Sequence, residues 1–205
     1  MGSREAQSSR QRRAQEHRQQ LERKARRRML IIVAAAVVVV LAVAGGITWA
    51  VVGAASQPSP LAAVKTFTGL SRDHTSVKVD YPQTPPVGGE HAPVWLNCGY
   101  YSSPVPNENA VHDLEHGAVW ITYRPGLPAA QVARLKSLAE QQTYVTVSPY
   151  SGLPSPVVAS AWGVQLQLPS ATDSRLGDFV RKYVQGPQTP EPGAPCTGGV
   201  GTPES

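Results

Sequence analysis

The chain has 205 residues, of which 41% are apolar and 16% charged, with 18 Gly, 19 Pro and 2 Cys, which excludes a collagen-like rod and a disulfide-dense miniprotein. Its net charge of +5 averages two unlike halves: 10 Lys or Arg stand against 3 Glu before Met29, and 9 basic residues against 11 acidic ones after it. The positive charge lies outside the folded part, which argues against a nucleic-acid-binding globular domain.

Residues 1–28 are rich in Gln, Arg and Glu and hold no apolar side chain beyond alanines, Met1 and Leu21, too little to bury a core. They are predicted as a basic cytoplasmic tail resting on anionic lipid headgroups. Residues 29–55 are uncharged and apolar apart from Thr48. About 20 such residues cover the roughly 30 Å hydrocarbon core, so this run is predicted as one transmembrane helix with Trp49 near its far boundary. Arg23, Lys24, Arg26, Arg27 and Arg28 crowd the near end, and the next basic residue is Lys65. The positive-inside rule then places the N-terminus in the cytoplasm and the rest of the protein outside. Two rivals stand beside a retained anchor. Gly53 and Ala55 are spaced as a signal-peptide processing site, although apolar signal cores run to about 7–15 residues, well short of this one. Arg26-Arg27-Arg28-Met29-Leu30 loosely matches a twin-arginine export signal.

After a linker over 56–63, a domain is expected over 64–185, followed by a Pro/Gly-rich tail over 186–205, with no internal repeat. His74 to Tyr81 alternates, with Val77 and Val79 on one face, and predicts a half-buried strand. Val94 to Tyr101 and Ala118 to Tyr123 predict two more. Pro128 opens a helix that carries Val132, Leu135, Leu138 and Ala139 on one face. Thr143 to Ser148 and Val157 to Leu168 each predict a strand. Thr172 then caps a helix with Leu176, Phe179, Val180 and Tyr183 in a stripe and Gly186 as its stop. The expected fold is α+β, a mainly antiparallel sheet with two helices, behind one N-terminal transmembrane helix.

Cys98 and Cys196 both lie beyond the apolar run, and an isolated pair in an oxidising envelope predicts a disulfide that ties the tail back. Free thiols or a thiolate ligand are the alternatives, against which stands the lack of any Cys-x-x-Cys spacing.

Chemistry concentrates in Asn107-Glu-Asn-Ala-Val-His-Asp-Leu-Glu-His-Gly117, which begins with a helix cap and ends with a helix stop. As a helix it sets His112, Glu115 and His116 at about 0°, 300° and 40° around the axis, on one face. As a strand it turns Glu115 away from both histidines. Two imidazoles one turn apart can reach the same ion. His112-Asp-Leu-Glu-His116 also fits the H-x-x-E-H pattern of inverted zinc peptidases, but those need a long helix and a downstream glutamate ligand. The candidates for that glutamate, Glu140 and Glu191, fall on a charged helix face and in the Pro-rich tail. Asp113 could orient an imidazole from behind. Trp95, Tyr100, Tyr101, Trp120, Tyr123 and Trp162 read as core and rim.

Tyr81-Pro-Gln-Thr-Pro-Pro-Val-Gly-Gly-Glu-His91, then Trp95, Cys98-Gly-Tyr-Tyr101 and Val111-His-Asp-Leu-Glu-His-Gly-Ala-Val119, resembles the bacterial domain-of-unknown-function family 3105. Its members carry Pro-Pro-x-x-Gly-x-His followed by His-x-Leu-Glu-His-Gly, usually behind one membrane anchor. Val87-Gly88 stands here where the family more often has Thr-Ser. The resemblance covers about Arg72 to Tyr183 and implies place and fold, with no catalytic residue to carry over.

The residues themselves suggest one site: Pro85-Pro86 and Gly88-Gly89 make a stiff-then-permissive turn before His91, and His74 opens the strand ahead of it. The leading expectation is a metal site of His112, His116, His91, His74 and Glu115. With no Met after Met29, zinc or copper(II) is favoured over copper(I). The alternatives are a cell-envelope interaction module with a protein partner, in which the His-Glu-His stretch only braces the fold, and a metal-dependent hydrolase.

Overall fold

A computed structural model describes residues 23–24, 26–30, 32–45 and 59–204. Trp49, the pair Gly53 and Ala55, and the tail before Arg23 lie outside the described residues. The chain divides into two units, Met1–Pro58 and Ser59–Ser205. Among the described residues of the first unit, helix α1, Arg26–Gly45, is long and apolar enough to cross a membrane, and none of its described side chains is buried.

In the second unit six strands form one sheet: β1 (Lys65–Thr66), β2 (Gly99–Tyr100), β3 (Val119–Tyr123), β4 (Val145–Pro149), β5 (Val157–Ala161) and β6 (Val164–Leu168), in the order β1-β6-β5-β3-β4-β2. Its helices are α2 (Asn107–Glu115), α3 (Ala129–Gln141) and α4 (Ser174–Tyr183). The α+β class stands, but the sheet is mixed, not mainly antiparallel: β3 with β4 and β4 with β2 are parallel, the other three pairs antiparallel. The cause is α3, which carries the chain across one face between β3 and β4, so that β4 starts at the same end of the sheet as β3.

The strands alternate between two buried faces. Val119, Ile121 and Tyr123 of β3, Val145 and Val147 of β4 and Leu166 and Leu168 of β6 meet Leu135 of α3 and Leu176, Phe179, Val180 and Tyr183 of α4. Trp120 points the other way, into a second core with Leu96, Tyr101, Trp162 and the Ala110, Val111 and Leu114 face of α2. Polar side chains on that second side are bonded: Trp120 Nε1 donates to Ser148 Oγ at 2.9 Å, and Gln165 Nε2 to the Pro85 carbonyl at 3.0 Å.

The predicted stripes of α3 and α4 pack as expected, with Val132 and Leu138 at the core's margin. Other details differ. Asp173, not Thr172, caps α4 by accepting from the Arg175 N–H. Val157 to Leu168 is a hairpin, not one strand, because Gly163 at φ +68° lets the chain reverse between Ala161 and Val164. Val94 to Tyr101 reduces to β2 and an isolated bridge from Leu96 to Val200. His74 to Tyr81 is no strand: Val77 is exposed, and the segment is held by an isolated bridge at His74 and a bond from Val79 N to the Glu108 carboxylate. Local alternation there had no neighbouring strand to pair with.

Candidate metal centre

Helix α2 lies against β3 and sets the site. It begins after Pro106, with no side-chain cap, and ends at His116, whose N–H donates to the His112 carbonyl at 3.1 Å. Gly117 follows at φ +92°, a conformation costly for a residue with a Cβ, and turns the chain into β3. The helical reading of Asn107 to Gly117 is therefore the observed one, and His112 and Glu115 sit on the same buried side.

His74 and His91 reach the helix through backbone pairing. Thr75 N donates to the His91 carbonyl at 2.7 Å and His91 N to the Asp73 carbonyl at 3.1 Å, which brings the two rings to a centroid separation of 4.8 Å. The turn before His91 is permissive as expected: Gly88 has φ +143°, and a Cβ there would meet Leu70 Cδ1 at 2.8 Å. Ala92 N then bonds the Glu108 carbonyl at 3.2 Å, fastening this loop to α2.

The result is a convergent cluster. His74, His91, His112 and Glu115 each offer one ligand atom, and those atoms lie within 4.8 Å of one another, so the group could hold a metal ion. His91 Nε2 is 2.8 Å and His74 Nε2 3.8 Å from Glu115 Oε2. His116 adjoins the group, its Nε2 2.9 Å from His112 Nε2. His91, His112, His116 and Glu115 are buried, whereas the His74 side chain is 46% exposed and gives the cluster its outer edge. Trp95 lies beside His112 and His116, and Trp162 stands edge-on to His91.

Tautomers decide what this cluster can do. His91 Nδ1 bonds the Gly89 carbonyl at 2.7 Å, His112 Nδ1 the Ala92 carbonyl at 2.6 Å, and His116 Nδ1 the Pro195 carbonyl at 2.6 Å. A carbonyl oxygen only accepts, so all three Nδ1 atoms carry hydrogen and each neutral ring presents a bare Nε2 lone pair. Those lone pairs face one another and a carboxylate. This is the donor arrangement that a cation stabilises, with the carbonyls orienting each ring from behind.

Burial, offset in part by the Ala92 carbonyl and reinforced by His116, His91 and His74, pushes the His112 imidazole from the usual 6.5 down to about 4. The unfolded chain binds this proton near pH 6.5 and the folded one only near pH 4, so the associated stability is full above the first value and lost toward the second. Metal-free protein should lose about 3 kcal/mol of unfolding free energy over that window from this group alone. Urea titrations of wild type and His112→Gln at both pH values measure it, the variant's acid loss being smaller by that amount.

Asp113 does not serve the imidazoles. It is buried beside them on α2 but turned to β4, where its carboxylate accepts from Thr146 Oγ1 at 3.1 Å and burial pushes its carboxyl well above the ordinary range. Glu191, set aside above as a glutamate ligand because it falls in the Pro-rich tail, has its carboxylate 3.7 Å from His116 Nε2. The tail that carries it packs over the site: Glu191 N donates to the Glu115 carbonyl at 3.0 Å, and Cys196 is bonded to Cys98 with Cα atoms 5.4 Å apart.

A family model described as protein of unknown function, DUF3105, matches residues 74–198. The chain belongs to the DUF3105 family. No curated protein and no solved structure matches it. The DUF3105 match begins at His74 and runs past Cys196, so it spans the four-donor group, His116, Glu191 and both cysteines. The cluster and its tail thus fall within the family's domain.

Proposed function

We propose that this DUF3105 protein is anchored by α1 with its N-terminus in the cytoplasm, and that its extracytoplasmic domain holds a transition-metal ion within His74, His91, His112 and Glu115. The observation that carries the reading is the set of Nδ1 hydrogens given to the Gly89, Ala92 and Pro195 carbonyls, which turns the Nε2 atoms toward one another and toward the Glu115 carboxylate. Zinc or copper(II) suits these donors. The site offers imidazole and carboxylate, the two cysteines are paired, and no Met follows Met29.

The role is metal handling or sensing without turnover. Every donor of the group but His74 is buried, which suits holding an ion rather than admitting a substrate to it. The cysteine pair suits an oxidising envelope, and the basic residues before α1 suit anionic headgroups on the cytoplasmic face.

Full-length protein in detergent, loaded with zinc or copper(II) and desalted, should retain metal by elemental analysis at pH 7.5. It should release the metal as the pH is lowered to about 5, because protons compete for the same imidazole lone pairs. His112→Ala should lower the amount of metal retained. Metal-free wild type whose melting temperature is unmoved by excess ion would reject the reading and leave the cluster as an internal brace.

A further inference from the structure

Two short contacts between ligand atoms occur in the cluster, and they are separate. In the first, His91 Nε2 meets Glu115 Oε2 at 2.8 Å with His91 Nδ1–H already donated to Gly89. In the second, His112 Nε2 meets His116 Nε2 at 2.9 Å with both Nδ1–H groups donated, to Ala92 and to Pro195. With both rings neutral the second contact has no hydrogen to share, and its lone pairs repel unless a proton or a metal ion lies between them, while the first is bridged by a single proton or by a metal ion.

Each contact also has a third donor at hand. His74 Nε2 is 3.8 Å from Glu115, and the Glu191 carboxylate is 3.7 Å from His116. The six donors therefore divide into two sets of identical chemistry, two imidazoles and one carboxylate apiece. A tetrahedral zinc ion takes four ligands and cannot use all six. We propose that the centre holds two neighbouring ions of the same class, the first on His74, His91 and Glu115, the second on His112, His116 and Glu191.

This rests on the metal-binding reading above and assigns Glu191 a part in it. The Glu191 side chain is 55% exposed, so the second ion borders solvent, and its carboxylate comes from a tail fastened at Glu115 and at Cys98. The second ion is accordingly the more readily exchanged of the two.

The test is the metal content of full-length protein loaded with excess zinc chloride and desalted. Wild type should hold two ions per chain, and Glu191→Gln and His116→Gln one each. With copper(II), wild type should show an electron paramagnetic resonance signal diminished by coupling relative to its total copper, and Glu191→Gln the full signal of one isolated ion. One ion per wild-type chain, or two in Glu191→Gln, would overturn the second site while leaving the first reading in place. No retained ion in wild type would overturn both.

Discussion

Glu115→Ala should lower the unfolding free energy by about 3 kcal/mol even in metal-free protein and weaken the response of stability to zinc. The Glu115 carboxylate is 2% exposed and bonded to a fully buried His91, so truncation strands an imidazole where water does not reach. The metal-dependent part has a separate origin. Glu115 is the one carboxylate among the four convergent donors, and without it the charge of a divalent ion has no counterpart inside the group. Denaturant unfolding with and without a chelator separates the two effects. Wild type should show a chelator-dependent difference, and the variant a smaller one on top of its lower baseline. A variant that keeps both its stability and its zinc response would refute the role given to this side chain.

Replacing both cysteines by serine should cost about 4 kcal/mol, the chain-entropy expectation for a loop closed over 98 residues. It should also speed zinc loss to a chelator by about 10–100-fold, the range found when the groups orienting a ligand are disturbed. The link runs through the neighbouring residue. Pro195, whose carbonyl fixes the His116 tautomer, directly precedes Cys196, and Cys98 N donates to the Cys196 carbonyl at 2.8 Å. Further tail contacts, such as Trp95 Nε1 with the Thr197 carbonyl, hold the segment less firmly once the covalent tie is gone. Stability within 1 kcal/mol of wild type, together with unchanged zinc loss, would show that the tail holds its place without the bond.

What the residue order makes legible here is local. The spacing of His112, Glu115 and His116, bounded by Gly117, specifies a turn of helix with one functional side, and the apolar stripes of α3 and α4 specify the surfaces they bury. Pairing across the sheet is not encoded within any one segment, so the parallel placement of β4 emerges only once α3 has carried the chain over. The polar residues of β3, β4 and β5, such as Thr122, Ser148 and Ser160, look like a solvent face in sequence. They are covered by a second layer that includes α2 and bonded within it. For the same reason His74 and His91 could be singled out, but their meeting could not. It depends on a short backbone bridge 17 residues apart in a stretch with no regular structure. Glu191 was hidden more deeply, in a Pro-rich segment whose placement depends on the covalent link at Cys196 and on scattered backbone bonds.

X-ray absorption at the zinc edge of the loaded full-length protein reads the atoms around the ion. Metal held by the cluster gives a shell of nitrogen and oxygen at about 2.0–2.1 Å with strong imidazole scattering beyond it and no sulfur. A zinc ion coordinated by water oxygens alone, or a shell containing sulfur, would contradict metal binding there.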